Sequence, residues 1–324
     1  NILQSLQEPI IIDEHSVYIT CSIGISLYPN DGTKSLDLLK QADSAVNKAK
    51  DEGRNNFQFY DSNLTDKAYE KIILESNLRT AIKNNEFVVY FQPQINGEND
   101  KLVGMEVLVR WLNPKLGLIS PAKFIPLAEA TGLIVDIDRY VMKSALEQVC
   151  QWIKSGLKPG KVSINLSIKN LQQPDFINFV QEIMSNVGCK TEWVEFEVTE
   201  SQIMTNPVEA INILKQINKL GVHLSIDDFG TGYSSLSYLK KLPINKLKID
   251  QSFVRNLPDD NEDVAITKAI IALAKSLNLG LIAEGVETQE QKDFMVQEGC
   301  TTIQGYFYSK PIPADEMRVF IKSR

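Results

Sequence analysis

Leu224–Ser235 reads LSIDDFGTGYSS: a short apolar strand, two adjacent carboxylates in Asp227 and Asp228, then a glycine-rich exit. Neighbouring acids repel each other and resist desolvation, so at a buried strand end such a pair calls for a cation. An isolated Asp-Asp pair is more often a solvated turn. What decides between the two is whether other segments deliver further ligands to the same place.

Around this stretch, strand-like and helix-like segments alternate. The strand-like ones are FVVYFQPQI (87–95), LVGMEVLVRW (102–111), KVSINLS (161–167), VEFEVTES (194–201), HLSIDDFG (223–230), KLKID (246–250), LGLIAEGVE (279–287) and TTIQGYFYS (301–309). Eight strands separated by helices predict an α/β fold of the (β/α)8 TIM-like barrel type, with an open doubly wound sheet as the alternative. No fixed period marks a solenoid, and no GxGxxG opens a helix after a strand, which weakens a dinucleotide-binding alternative.

A barrel gathers its functional groups at the C-terminal strand ends. The runs deliver Glu106, Asn165, Glu197 with Glu200, Asp227 with Asp228, Lys248 with Asp250, Glu284 with Glu287, and Gln304. Period two puts Glu195 and Glu197 on one strand face, and Lys246, Lys248 and Asp250 on another. So many carboxylates, with only Lys248 and Arg110 as cations, predict divalent metal at the barrel mouth. Oxygen donors without cysteine or a well-placed histidine favour Mg²⁺ or Mn²⁺, two per site, with Asp227 placed to bridge them. Such sites hydrolyse phosphoesters. Glycoside hydrolysis by two carboxylates is the rival chemistry, and it needs neither the Asp pair nor the Asn and Lys.

Composition narrows the classes further. A net charge of −7 argues against a DNA, RNA or anionic membrane surface, and 43% hydrophobic residues supply a real core. No apolar run reaches membrane-spanning length, and no membrane contact is expected from this stretch of chain. Cys21, Cys150, Cys189 and Cys300 are widely spaced in sequence, and His15 and His223 are the two histidines, so neither a disulfide scaffold nor zinc is expected. The cysteines read as small buried apolar residues, and His223 as a packing residue opening its strand.

Ahead of the barrel, residues 1–60 read as a helix end, a strand PIIID, a longer strand VYITCSIGISLY, a helix from about Ser35 to Glu52 and a strand FQFY. The helix carries Leu36, Leu39, Ala42, Val46 and Ala49 at helical spacing. Residues 62–67 are polar, and AYEKIILESNLRTAIKNNE then forms an amphipathic helix with Ile72, Leu74, Leu78 and Ile82 available for burial. The domains are therefore expected at 1–63 and 64–324. Half a sheet leaves edges and an apolar face uncovered, so the first segment is expected to pack poorly. A start at Asn1 without an initiator Met suggests a truncated chain.

SIGISLYPNDGT (22–33) and ADSAVNKAKDEGRNNFQFY (42–60) resemble the C-terminal part of a GGDEF domain, the cyclic di-GMP synthase module, with Val46 and Asn47 where that family has Met and Tyr. The family's signature lies upstream of the matched part, so no cyclase activity is expected from this chain. Residues 65–324 resemble the EAL cyclic di-GMP phosphodiesterases. The match runs through Glu106-Val107-Leu108 with Arg110, INLS (164–167), EVTES (197–201), DDFGTGYSSL (227–236), KLKID, AEGVET (283–288) and QGYFYSKP (304–311). Val107 replaces the family's Ala and leaves Glu106 untouched.

That resemblance implies a modified barrel with an antiparallel first strand and hydrolysis of cyclic di-GMP to linear pGpG. A catalytically silent cyclic di-GMP receptor is the alternative. It implies Glu106, Asn165, Glu197 and Asp227 as metal ligands, with Asp228 on a second metal. Lys248 would hold or help deprotonate the attacking water, with Glu106, Asp227 and Glu284 sharing the catalytic work. Glu284 and Gln304 would act through a metal's water or by hydrogen bonds to the ligands. Gln92, Leu108, Arg110, Asp250 and Gln304 would meet the substrate, and Glu200 would steady the loop after Asp228, in which Gly230 and Gly232 allow unusual backbone angles. A homodimer through the Asp263–Ser276 helix and that loop is implied as well. The expected location is the cytoplasm, with membrane attachment of a longer parent left open.

Overall fold

The structure, a computed structural model, describes residues 2–5, 10–12, 15–17, 19–232 and 236–324. Two compact units divide at residues 77 and 78. In the first, Ile10–Ile12 pairs antiparallel with His15–Val17, and Ile23–Ile25 pairs parallel with Phe57–Phe59. The segment expected as one long strand over 17–28 is thus broken, with 19–22 outside any strand and Tyr18 outside the described residues. Helix α1 (Ser35–Asp51) buries Ala45 and Ala49 but leaves Leu36 and Leu39 largely exposed. Phe57 and Phe59 are also half exposed.

Helix α2 (Ser62–Lys83) begins six residues before the predicted start. Among its residues from 72 onward, Leu74, Leu78 and Ala81 are buried and repeat at i, i+4, i+7, whereas Ile72 sits two residues off that row and is 66% exposed. Polar composition alone had masked the first helical turns.

The second unit is a closed ring of eight strands: β1 (Phe87–Asn96), β2 (Leu102–Asn113), β3 (Lys161–Asn165), β4 (Val194–Thr199), β5 (His223–Phe229), β6 (Lys246–Ile249), β7 (Gly280–Ala283) and β8 (Thr302–Ile303). Strands β2 to β8 are parallel, and β1 runs antiparallel to both β2 and β8. The reason is local. Only residues 97–101 join β1 to β2, far fewer than a parallel crossover requires, so the two must form a hairpin. Asn96 sets that turn by accepting from the backbone N–H groups of Glu98 and Asn99.

Phe87, Trp111 and Phe124 stack at one end of this hairpin with centroids 5.6–5.8 Å apart, and Trp111 Nε1 donates to Glu86 Oε2 at 2.9 Å. Buried aromatic area of this kind pins the register of β1 on β2. Gln92 consequently faces Glu106 across the pair. Around the ring pack α3 (Pro121–Thr131), α4 (Ile134–Lys154), α5 (Phe176–Val187), α6 (Pro207–Lys219), α7 (Asn261–Ser276), α8 (Gln289–Glu298) and α9 (Ala314–Ser323). No described helix is long and apolar enough to cross a membrane.

Candidate active site

The inward faces of β4 and β6 carry Glu195 with Glu197 and Lys246 with Lys248, as period two requires. Two ion pairs span from one strand to the other over β5: Lys248 Nζ to Glu197 Oε2 at 2.6 Å, and below it Lys246 Nζ to Glu195 Oε1 at 2.8 Å. Ser225 lies in register with both Glu197 and Lys246 and is fully buried. Its small side chain leaves room for the spans.

Lys248 meets four carboxylates: Glu197, Glu284 at 2.6 Å, Asp227 at 3.1 Å and Glu106 at 3.6 Å. Burial alone would lower its pKa, but Asp227, Glu106, Glu197 and Glu284 together hold it well above the ordinary lysine value. It is a permanent ammonium. One positive charge does not balance four negative ones, and the acids show it. Burial, then neighbouring carboxylates, push Glu197 well up and Glu284 up to about 8, against the pull of Lys248. Asp228 is pushed up to about 6 by burial and by Asp227.

A divalent pair fits these donors. Oxygens of Glu106, Glu197 and Asp227 lie within 4.8 Å of one another, and so do those of Asp227, Asp228 and Glu284, so Asp227 belongs to both groups. Glu197 Oε1 is buried without a hydrogen-bond partner, as an atom reserved for a cation would be. Asn165 Nδ2 donates to Glu106 Oε1 at 2.6 Å, and Gln304 Nε2 donates to both Glu106 Oε2 and Gln92 Oε1. Gln94, which sequence reasoning passed over, donates to Gln304 Oε1 at 3.0 Å. Its signal was the period-two repeat Gln92, Gln94.

A cavity of about 320 Å³ at the mouth is lined in part by Gln92, Glu106, Leu108, Arg110, Glu284 and Gln304. A second, of about 280 Å³, shares Leu108 and Arg110 as a common wall. The half-buried Arg110 guanidinium lies 5.6 Å over the Tyr90 ring. Tyr306, 55% exposed, lines the mouth cavity and was missed; an aromatic directly after Gln304-Gly305 was its signal. Asp250 is not in that lining. Its carboxylate instead caps a short helix by accepting from Ser252 N at 2.9 Å.

Two loops hold these groups in place. Glu200, 2% exposed, accepts from Gly230 N at 3.0 Å, and Gly230 holds a left-handed φ of 98° where a Cβ would meet Phe253 at 3.0 Å. Gly232 has no such angle, so only the first of the two glycines is needed for its backbone. Asp228, at φ 52°, also takes the left-handed region. On the other side, Gly305 packs so closely on Val286 that a Cβ would sit 2.0 Å from the Val286 carbonyl. Val286 N donates to Gln304 O and Phe307 N donates to Val286 O, which joins the loops after β7 and β8.

Away from the mouth, Lys161 Nζ donates to His223 Nδ1 at 2.9 Å, which requires a neutral ring. Burial, then the Lys161 charge, lowers the His223 pKa. A histidine depressed on folding adds stability above its unfolded pKa of about 6.5 and loses it as the pH falls through the folded value. The melting temperature of the wild type should therefore drop between about pH 6.5 and 5 more than that of His223→Gln. Parallel curves would refute the pairing.

The EAL domain family matches residues 75–311, and the GGDEF domain of diguanylate cyclases matches residues 1–56. The bifunctional diguanylate cyclase/cyclic di-GMP phosphodiesterase MucR of Pseudomonas aeruginosa is 40% identical over 98% of this chain and 46% of its own length. The cyclic di-GMP phosphodiesterase PdeR of Escherichia coli K12 is 36% identical over 97% of the chain and 47% of its own length. The chain thus spans about half the length of these relatives. The solved structure of the PaMucR phosphodiesterase in complex with c-di-GMP superposes with a TM-score of 0.73 at 40% identity, covering 75% of this chain and 99% of that one.

Proposed function

We propose, from the premise that this chain belongs to the EAL domain family, that it hydrolyses cyclic di-GMP to linear pGpG in a divalent-metal-dependent reaction. The observation that carries this reading is the ring of four carboxylates around Lys248, with Asp227 common to two oxygen clusters. Similarity to named phosphodiesterases supports the substrate. So do two cavities divided by Leu108 and Arg110, which suit a ligand with two bases joined through phosphates.

In this reading Glu106, Asn165, Glu197 and Asp227 would hold one Mg²⁺ or Mn²⁺, and Asp227 with Asp228 would hold a second. Bound cations would supply a Lewis acid for the phosphoryl oxygen and make water more acidic. Lys248, a fixed ammonium, donates to the attacking water and orients it, while a neighbouring carboxylate such as Glu284 takes the proton. Arg110 presents a planar donor fork to a phosphate. Gln92, Leu108 and Gln304 line the substrate's path, and Asp250 is assigned to the substrate from the sequence, its Oδ1 also accepting from Ser252 N. Glu200 steadies the Asp228 loop through Gly230.

The division into a GGDEF fragment with linker (1–63) and the phosphodiesterase domain (64–324) belongs to the same proposal, as does a cytoplasmic location. A two-fold dimer through α7 and the loop after Asp228 also belongs to it, supported by Ile266, which stands 40% exposed on α7. Light scattering that shows a fully active monomer at high concentration would remove the dimer. Chromatography of cyclic di-GMP incubated with the protein should show pGpG with Mg²⁺ or Mn²⁺ and none with chelator. Binding without turnover in either metal would instead mark a silent receptor.

A further inference from the structure

Gln94, on β1, and Gln304, just past β8, are 1% and 3% exposed. Gln94 Nε2 donates to Gln304 Oε1 at 3.0 Å, and Gln304 Nε2 donates both to Gln92 Oε1 at 3.1 Å and to Glu106 Oε2. Gln92 Nε2 in turn donates to the Ser309 carbonyl at 3.2 Å. A glutamine amide has nearly the same shape either way round, so its direction is set by what it meets. Both ends of this chain only accept. Ser309 offers a carbonyl, and Glu106 a carboxylate whose other oxygen already holds Asn165 Nδ2 at 2.6 Å. Each must meet an NH₂ group, which turns the Gln92 oxygen toward Gln304 and the Gln304 oxygen toward Gln94.

The seat of Gln94 suits this part. Its register partner on β2 is Gly104, which has no left-handed angle to account for it. A glycine inside a strand marks the close approach of other groups, and a Cβ on Gly104 would stand 2.9 Å from Gln94 Oε1. Main chain fixes the other partner: Gln304 N donates to Ala283 O at 2.8 Å, so only its side chain is left to turn.

We propose that Gln94 is a positioning residue, whose bond to Gln304 Oε1 holds the Gln304 NH₂ group on Glu106 and Gln92. It touches neither cation nor substrate in the reading above, on which its consequence for the reaction rests. With the Gln94 donor gone, Gln304 either keeps its direction with a buried oxygen unsatisfied or turns that oxygen onto Glu106 and Gln92, where acceptor faces acceptor. Either way its hold on Glu106 weakens, and with it the orientation of Glu106 toward a divalent cation.

Two readouts on the full chain need no turnover. In metal-free protein carrying isotope-labelled glutamine, the Gln304 side-chain NH₂ resonances are identified by their loss in Gln304→Met. Their protons should exchange slowly with water in wild type and roughly tenfold faster in Gln94→Met, the factor that one ordinary hydrogen bond carries. Calorimetric titration with Mg²⁺ should show about tenfold weaker affinity in Gln94→Met, the scale on which partners of metal ligands act. Methionine follows the shape of glutamine without its donor, and Gln94→Leu replaces it should that variant not fold. Added to Gln304→Met, the Gln94 substitution should change Mg²⁺ affinity by less than about twofold, because its route to Glu106 is already cut. Fast exchange of the Gln304 protons in wild type, or an equal loss of affinity in both backgrounds, would overturn the proposal. The expected Mg²⁺ coupling in a protein that leaves cyclic di-GMP intact would refute hydrolysis and uphold the role of Gln94.

Discussion

Lys248→Ala should lower cyclic di-GMP hydrolysis by at least about a hundredfold, the scale seen when a positioned electrostatic group is removed from a reaction site. The side chain is 1% exposed and is the one described ammonium within ion-pair distance of Glu106, Glu197, Asp227 and Glu284. Removing it leaves those carboxylates facing each other, so the variant should also melt lower without divalent cation and recover when Mg²⁺ is added. Dinucleotide affinity in Mg²⁺ should stay close to wild type, because Arg110, Leu108 and Gln92 are untouched. Turnover and affinity measured on one preparation check both halves. Near-normal hydrolysis would exclude Lys248 from the chemistry.

Asp227→Asn should be as damaging to turnover, again at least about a hundredfold, through a different loss. Asp227 Oδ1 accepts from Asp228 N at 2.9 Å, a bond that Asn can keep. What Asn cannot keep is the charge common to both oxygen clusters. Cyclic di-GMP binding titrated with and without Mg²⁺ should therefore show a weaker metal dependence in this variant than in wild type or Lys248→Ala. An unchanged dependence would deny Asp227 its shared role, and near-normal turnover would remove it from the site.

Much of this arrangement is legible in one dimension because strand chemistry is local. A run such as KLKID states its own inward face, and a ring of such runs forces Lys248, Glu197 and Asp227 together. The reversed first strand came only from the family resemblance, and the structure supplies its reason, the five-residue link between β1 and β2. What escaped the sequence depends on partners far along the chain. The period-two repeat turns Gln94 inward, but no spacing foretells its bond to Gln304, 210 positions along the chain. Residues 17–28 read as one strand because apolar composition does not record where pairing stops.

The close fit of Gly305 on Val286 has a mechanical meaning. With two backbone bonds and no space between them, the loops that carry Glu284 and Gln304 are locked to each other like the two halves of one jaw. The facing jaw is built otherwise: Asp228 and Gly230 sit at left-handed angles, and the Gly230 amide is tied back by the carboxylate of Glu200. In the proposed reaction, Glu284 and Gln304 would therefore form the stiffer wall of the mouth, set against the Asp228 side.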